Sequence, residues 1–536
     1  MAMFTKDEFS EDEHSKPKPI TWGPQQSALF DWVREGRGST FMQARAGTGK
    51  TTTLIGVCEV LREMDELGSV ALAAFNTKIV KEVREKLAKA EFSWKDVSVK
   101  TFHGHGFAPL RKVYPRAFMD EDGRAKHEEV CKLAGTPKHL EGFCSQLVSL
   151  AKNAAIGVFR DVGDLNAWSE LVDHHDLQDD LEDSRDVMTA IAKAQMMLQY
   201  SNDICERLIN FDDMIYVPVL KRLRFWQNRW VLVDEAQDTN AIRRAMARMM
   251  LRGDGRSIWV GDDRQAIYGF TGADADSVRR IQSEFGCDVH PLTLTYRCAK
   301  AVVAEAQKFV PDIEAHEGNE VGVVRCIHES DLLNGSQELR SDDAILCRKT
   351  APLVSTAFAL IKRGVACHVE GKDIGVGLLK LAMRWKMVRT VDQLRSKLED
   401  WCDREVMKYM AKKKEVRAEQ TRDRVDTLLA LMDGCPDLPC VKTKIETMFM
   451  DGDLEPRKTL TLSTVHRSKG REWSRVYVLG RFQFMPSSFA RQDWQLVQED
   501  NLIYVACTRA KSELVYVDVD AAQPSAASQQ WAKGRT

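Results

Sequence analysis

The sequence predicts an α/β chain with two parallel sheets, each interrupted by a mainly helical insertion. Short apolar, β-branched runs alternate with helical stretches, they fall into two sets of six, and each set is broken once by a long segment without such runs. The first set is 40–44, 70–75, 97–102, 230–233, 258–261 and 292–294; the second is 321–326, 344–347, 366–369, 460–464, 476–479 and 514–517. Runs this short and this uniformly apolar belong to strands buried on both faces. The interrupting segments, 107–210 and 376–456, read as helical and polar, and helices placed there would stand above the sheets and guide a long substrate. A basic stretch at 412–417 reads as a solvated helix face. The expected plan is therefore a first sheet domain from 21–106 with 211–295, its insertion at 107–210, a second from 296–375 with 457–520, and its short insertion at 376–456. The ends, 1–20 and 521–536, are polar or Ala- and Ser-rich and are expected to be flexible.

Composition narrows the class. Of 536 residues, 44% are hydrophobic and 29% charged, the balance of a soluble globular protein large enough for several cores. No run of about 18 apolar residues occurs, so no membrane span is expected, and the first residues lack the apolar core of a secretory signal. Thirteen cysteines, an odd number without framework spacing, point to free thiols in a reducing compartment, hence a cytoplasmic location. Cys435 and Cys440 have no second Cys/His pair nearby, so neither zinc nor an iron–sulfur cluster is expected. Net charge is −2, from 77 basic and 79 acidic side chains. A protein that coats nucleic acid is usually strongly basic, so any such contact here runs along a local track.

The chemistry starts at Ala44-Arg45-Ala46-Gly47-Thr48-Gly49-Lys50-Thr51, which follows a predicted strand and opens a helix at Thr52. It fits the phosphate-binding P-loop pattern except that Ala44 replaces the first glycine. Gly47 and Gly49 let backbone N–H groups turn onto phosphate oxygens at a helix N-terminus, where anions are favoured. Lys50 reaches the β- and γ-phosphates in such loops, and the Thr51 hydroxyl sits on Mg²⁺. The run Trp230-Val231-Leu232-Val233 then delivers Asp234 and Glu235 to the C-terminal end of a buried strand, where α/β ligands bind. Asp234 is expected to hold the metal and Glu235 to orient or deprotonate the attacking water. The segment with Arg222, Arg224, Phe225, Trp226 and Arg229 looks like a nucleic-acid patch, but reads better as the loop entering that strand.

Further motifs carry a family resemblance over nearly the whole chain, in collinear order. Gln25 in Gly-Pro-Gln-Gln-Ser-Ala, Ala74-Phe75-Asn76-Thr77-Lys78, Thr101-Phe102-His103, Asp234-Glu235-Ala236-Gln237-Asp238, Gly261-Asp262-Asp263-Arg264-Gln265-Ala266-Ile267-Tyr268-Gly269-Phe270 and Thr295-Tyr296-Arg297 come first. Ala344-Ile345-Leu346-Cys347-Arg348, Thr464-Val465-His466-Arg467-Ser468-Lys469-Gly470-Arg471-Glu472-Trp473 and Tyr504-Val505-Ala506-Cys507-Thr508-Arg509-Ala510 follow. Together they resemble superfamily-1 helicases of the UvrD/Rep type, with wording closest to F-box-type and phage or bacterial relatives. The sequence departs from the pattern at Phe270, where tryptophan is usual, at Thr271 and at Asn501, where arginines are usual. Its second insertion is also shorter than the corresponding UvrD subdomain.

The resemblance implies two RecA-like domains with ATP and Mg²⁺ between them. It implies that Gln25 reads adenine and Tyr296 stacks on it, and that Ala46, Gly47, Thr48, Gly49, Lys50, Thr51 and Thr52 cradle phosphate. Gln265 senses the γ-phosphate, Arg297 and Arg509 act as arginine fingers, and Glu472 completes the nucleotide site. Phe75, Tyr268, Phe270 and Trp473 are expected ring contacts to a single strand, with Asn76, Thr101, His103, Arg348, Thr464 and His466 as further strand contacts. The implied activity is a monomeric ATP-dependent 3′-to-5′ DNA helicase acting on single strands and their duplex junctions, alongside single-strand-binding or replication and repair proteins. The alternative is a nucleotide-gated clamp or protein-stripping translocase that does not unwind duplex. Too little chain follows the last motif for a nuclease domain, and none is expected. Stacking and phosphate contacts alone do not separate DNA from RNA.

Overall fold

The computed structural model describes residues 21–175, 177, 186–267, 277–385, 387–411, 415–449, 459–487, 490 and 493–519. The two terminal segments, Tyr268, Phe270, Thr271 and part of the basic stretch at 412–417 lie outside the described residues.

Twelve strands make two six-stranded parallel sheets. The first contains β1 (Ser39–Ala44), β2 (Val70–Ala74), β3 (Val97–Thr101), β4 (Asn228–Val233), β5 (Leu251–Gly261) and β6 (Cys287–Leu292), in the order β3-β2-β4-β5-β1-β6. The second contains β7 (Val323–His328), β8 (Asp343–Cys347), β9 (Cys367–Val369), β10 (Leu460–Thr464), β11 (Trp473–Leu479) and β12 (Ala510–Asp518), in the order β7-β12-β11-β8-β10-β9. The chain thus has the two parallel α/β sheets that the alternation of runs predicts, consistent with the two RecA-like domains that the resemblance implies.

One strand is displaced from its expected place. The run at 292–294 reads as a strand, yet β6 precedes it and includes His290 and Pro291. Proline lacks the ladder N–H and is tolerated only at a sheet edge, and β6 is an edge strand pairing with β1 alone. Its polar residues and proline hide it from a pattern search tuned to buried strands.

Helices cover both faces of each sheet. Leu29, Val33, Leu54, Val57 and Leu61 from the helices Pro24–Glu35 and Lys50–Glu63 pack with Leu72, Trp230 and Ile258 on one face of the first sheet. On the other face, the helices Glu141–Asn153 and Asp186–Asp203 of the first insertion share one core with Val231, Val233 and Trp259. The second insertion does the same with Ile345, Leu462 and Tyr477, through the helices Val391–Ala411, Glu415–Met432 and Leu438–Phe449. The insertions are therefore continuous with the sheet cores, because an amphipathic helix must bury its apolar stripe against something. The first insertion also contains one short parallel ladder, Phe118–Met119 with Leu208–Ile209, that its helical patterning does not announce.

A buried charge cluster ties the first insertion to the helix Asp213–Leu220. Lys126 Nζ donates to Asp213 Oδ2 at 2.5 Å and Lys152 Nζ to Asp213 Oδ1 at 2.7 Å; the carboxylate is 0% exposed and each lysine 2%. Further donation to the Leu208 carbonyl and the Ser201 hydroxyl, both at 3.0 Å, satisfies the ammonium groups. Removing one partner of a buried ionic set costs about 3–5 kcal/mol, because the remaining charge loses its compensation. Asp213→Asn, which keeps the shape but leaves two buried ammoniums facing an amide, is expected to destabilise the first domain by roughly that amount. Urea unfolding followed by circular dichroism checks it; a loss below about 1 kcal/mol would mean that the cluster is not a structural tie.

Candidate nucleotide-binding cleft and nucleic-acid interface

The phosphate loop leaves β1 at Ala44 and enters the helix Lys50–Glu63. Gly47 and Gly49 have φ of 74° and 83°, in the left-handed region that favours glycine. A Cβ on Gly47 would lie 2.5 Å from both Thr295 Oγ1 and Arg297 Cβ, so the loop also needs glycine for close approach. The Tyr296 N–H donates to the Gly47 carbonyl at 3.0 Å, fastening the 295–297 segment onto the loop. Thr48 is buried and its hydroxyl donates to the Arg45 carbonyl at 2.8 Å, while Thr51 and Thr52 sit half-buried in the first helical turn.

Asp234 and Glu235 follow β4. Glu235 has φ 51° and ψ 46°, a left-handed conformation costing a non-glycine residue about 1–3 kcal/mol. Strain of this kind persists only where surrounding contacts impose it, and here they do. Lys50 Nζ donates to Glu235 Oε1 at 3.1 Å, the Gln237 amide donates to Oε2, and the Glu235 N–H donates to Asp234 Oδ1 at 2.8 Å. Burial disfavours the Glu235 carboxylate, but Lys50 and Lys469 outweigh it and hold the group below the usual range. Burial and the neighbouring Glu235 push Asp234 up to about 6. Burial works against the Lys50 ammonium too, yet Glu235, Asp234 and Asp262 raise its pKa. The donor chemistry suits a hard divalent cation: Asp234 offers a buried carboxylate crowded by Glu235, which a cation would relieve, and Thr51 offers a hydroxyl in the first turn of the helix that Lys50 opens.

The second sheet domain closes on this arrangement. Lys469 Nζ donates to Asp238 at 2.7 and 3.0 Å and to the Gln265 carbonyl at 2.8 Å. The Tyr504 hydroxyl accepts from the Ala46 N–H at 2.8 Å and donates to Asp262 Oδ2 at 3.2 Å. Gln265 Nε2 donates to the same Asp262 oxygen at 2.7 Å, and Arg45 donates to Asp262 Oδ1 at 3.0 Å, to Asp263 at 2.6 Å and to Asp312 at 2.7 Å. Asn501, at a position where the resemblance leads one to expect arginine, donates to the Ala266 carbonyl at 3.2 Å. Arg297 pairs with Glu472 at 2.5 Å, and Lys511 pairs with the same carboxylate at 2.8 Å. Arg509 is 1% exposed and donates to the Val505 and Arg471 carbonyls at 3.0 and 2.9 Å; burial, then Arg297, lowers its pKa to about 10. Sequence reading singles out Lys50, Glu235, Gln265, Arg297 and Arg509, but not Arg45, Asp262 or Lys469, whose partners are remote in the chain.

A cleft of 200 Å³ beside Thr48 is lined by Gln25, Gln26, Thr293, Tyr296 and Glu314 among others. The Gln25 side chain is oriented at both ends, donating to Thr293 Oγ1 and accepting from the Thr293 N–H, each at 2.9 Å. Tyr296 is 44% exposed, with its ring 4.9 Å from that of His316.

The expected strand contacts divide. Phe75 and His103 share a 220 Å³ cavity with Phe211, Asp238, Asn240 and Arg243. His103 stacks on Phe211 at 3.7 Å and Arg243 lies over Phe75 at 5.1 Å. Burial, then Arg243, pushes His103 down to about 3, so its ring is neutral at ordinary pH. Neither Phe211 nor Arg243 stands out in the sequence, and a single exposed aromatic has no spacing signal to offer. Asn76 and Thr101 are helix N-caps, accepting from Ile79 N–H at 2.9 Å and Gly104 N–H at 3.1 Å. The Arg348 guanidinium pairs with buried Glu499 at 3.0 Å, as a largely buried charge requires. Thr464 ends β10, and His466 next to it is pushed down to about 3 by burial, then Arg348. Trp473, at the start of β11, is half-buried against the cluster that includes Leu346, Val476 and Val478 of the second sheet. All thirteen cysteines are free thiols.

Comparison with known proteins agrees with this organisation. The model of the UvrD/REP helicase N-terminal domain matches residues 25–286, and that of the UvrD-like helicase C-terminal domain matches 386–519. The probable DNA helicase II homolog of Rickettsia felis is 24% identical over 317 residues, covering 56% of this chain and 46% of that protein. The chain thus spans about half the length of such relatives. The ATP-dependent DNA helicase Rep of Escherichia coli K12 is 20% identical over 624 aligned residues, covering 92% of this chain and 90% of Rep. The PcrA helicase of Staphylococcus aureus is 25% identical over 308 residues, covering 52% of this chain and 38% of PcrA. With both sheet domains built around these motifs and both family models matched in order, the chain belongs to the UvrD/Rep family of superfamily-1 helicases.

Proposed function

We propose that this protein is an ATP-dependent DNA helicase that steps 3′ to 5′ along single-stranded DNA and opens duplex at single-strand junctions, working as a monomer with replication or repair proteins. The observation that carries the reading is the junction between the sheets. The phosphate loop and the ends of β4 and β5 share hydrogen bonds with Lys469 and Tyr504 of the second domain, so a change at the nucleotide alters the fit between domains.

In this reading ATP lies with its base between Gln25 and Tyr296 and its phosphates on the N–H groups of Ala46 to Thr52. Asp234 and Thr51 would hold Mg²⁺, which would supply charge neutralisation for the phosphates. The triphosphate competes with Glu235 for Lys50, freeing the Glu235 carboxylate to take a proton from the attacking water as the bond to the ADP oxygen breaks. Gln265 orients that water, and Arg297 and Arg509 spread the charge developing on the γ-phosphoryl group. Phe75, His103 and Phe211 offer faces on which bases stack without regard to sequence. Tyr268, Phe270, Thr464, His466 and Trp473 complete the proposed track.

Glu235→Gln is expected to retain ATP and single-strand binding while hydrolysis falls by at least about a hundredfold, the usual share of a general base. ATPase near that of the unmodified protein would take Glu235 out of this role. Tyr504→Phe removes one hydroxyl and leaves the Ala46 N–H and the Asp262 carboxylate short of a partner, a loss of about 1–3 kcal/mol. Its basal ATPase is expected to persist while stimulation by single-stranded DNA drops about tenfold; full stimulation would refute coupling through this contact. Phe211→Ala is expected to weaken grip on oligo-dT by about 1–3 kcal/mol, the worth of one stacked base, with basal ATPase unchanged. Stopped-flow displacement on 3′-tailed and 5′-tailed duplexes tests the whole reading. Preference for the 5′ tail reverses the polarity, and DNA-stimulated ATPase without displacement identifies a clamp instead.

A further inference from the structure

A cleft of 780 Å³ runs along the free edge of the first sheet, away from the junction. Its walls are β3, the helices Thr77–Lys89 and Phe102–Val113, and the loop that enters β4. Two tryptophans stand at its mouth, Trp94 at 80% and Trp226 at 78% exposure, the two most exposed tryptophans among the described residues. Large aromatic side chains left in water beside a concave surface mark interaction sites.

The charge of the cleft is one-sided. Arg84, Lys95, Lys100, Lys112 and Arg224 line it, and no aspartate or glutamate does among the described residues. In a chain of net charge −2, five cations without an acid on one wall is a strong local bias. None of the five pairs with a carboxylate among the described residues; Arg84 instead donates to the Val99 carbonyl at 2.6 and 3.1 Å. That bond occupies an edge carbonyl of β3, so a ligand here is held by side chains rather than by strand addition. His105 adds no charge, because burial pushes its pKa down to about 4.

The floor discriminates between anionic ligands. Val70, Leu87, Phe92, Val97 and Val99 form it, each no more than 7% exposed. Nucleobase edges buried against such a floor would lose hydrogen bonds to water without replacement, whereas leucine or phenylalanine side chains lose none. We propose that this cleft is a docking groove for an acidic peptide segment of a partner protein, whose large apolar side chains enter the floor while its carboxylates meet the five cations. The indoles of Trp94 and Trp226 clasp the segment from outside, and charge steers its approach.

The test uses the full chain and a fluorescein-labelled synthetic peptide of aspartates interspersed with phenylalanine and leucine, read by anisotropy. Saturable binding is expected, weakened about tenfold or more when asparagine replaces aspartate in the peptide. The variants Trp226→Ala and Lys112→Glu/Arg224→Glu should each weaken binding about tenfold or more, the scale of losing one interfacial anchor or charge pair, while ATPase stays unchanged. No binding to the unmodified protein, or equal binding by the charge-reversed variant, overturns the proposal. Displacement of the peptide by oligo-dT that the charge-reversed variant no longer binds would reassign the cleft to nucleic acid and overturn it equally.

Discussion

The carboxylate of Asp262 is 0% exposed, at the point where the two sheet domains meet, and it can remain there only because four groups complete it. Arg45 from the phosphate loop, the Arg264 N–H and the Gln265 side chain from its own turn, and Tyr504 from the second domain donate to its oxygens, while the Asp262 backbone N–H donates to the Gln237 amide oxygen at 3.1 Å. The donors come from three different motifs. An unpaired carboxylate at that depth would cost several kcal/mol, so the phosphate loop, the acidic end of β4, the end of β5 and the helix Asp493–Cys507 are held to a common geometry by one charge. The same constraint explains Arg45, which has no place in the usual loop pattern. Its guanidinium also reaches Asp263 and Asp312, extending the tie to the segment after the helix Lys300–Ala306.

The acids around the phosphate loop pose a second electrostatic problem. Asp234 and Asp238 are buried near the half-buried Glu235, and burial together with that neighbouring charge raises the pKa of both aspartates. Two lysines offset them from opposite sides: Lys50 from the first domain and Lys469 from the second. The balance therefore depends on both domains being present. In the proposed function, a phosphate that draws Lys50 away shifts the load onto Lys469, which would link phosphate occupancy to the domain interface by charge. Strain at Glu235 belongs to the same arrangement, since its left-handed backbone is imposed by Lys50, Gln237 and Asp234 together.

Elsewhere charge is handled differently. The Lys126–Asp213–Lys152 set is sealed between the first insertion and the helix Asp213–Leu220 and performs a structural task. Five cations line the cleft at the edge of β3, and no acid lines it among the described residues. A nearly neutral sum thus hides a buried tie, a balanced junction and a strongly positive cleft, none of which composition reveals.

Local sequence determined the strands of both sheets, apart from β6, because strands buried on two faces must be short, apolar and β-branched. It also determined the turn at the phosphate loop, where Gly47 and Gly49 supply conformations that other residues resist. Lys50, Asp234 and Glu235 stand out because each follows the end of a strand within a phosphate-loop or acidic-strand pattern, whereas Gln265 stands out only through the family resemblance. Tertiary structure alone decided what lies across from them. Tyr504 meets Ala46 over a separation of 458 residues, and Lys469 meets Asp238 over 231, distances at which no pattern operates. It decided, too, that Arg348 faces Glu499 rather than open space, and that Asn76 and Thr101 cap helices. The physical reason is common to all of these. Periodicity records which face of an element is dry, whereas the partner of a buried polar group depends on how whole elements pack.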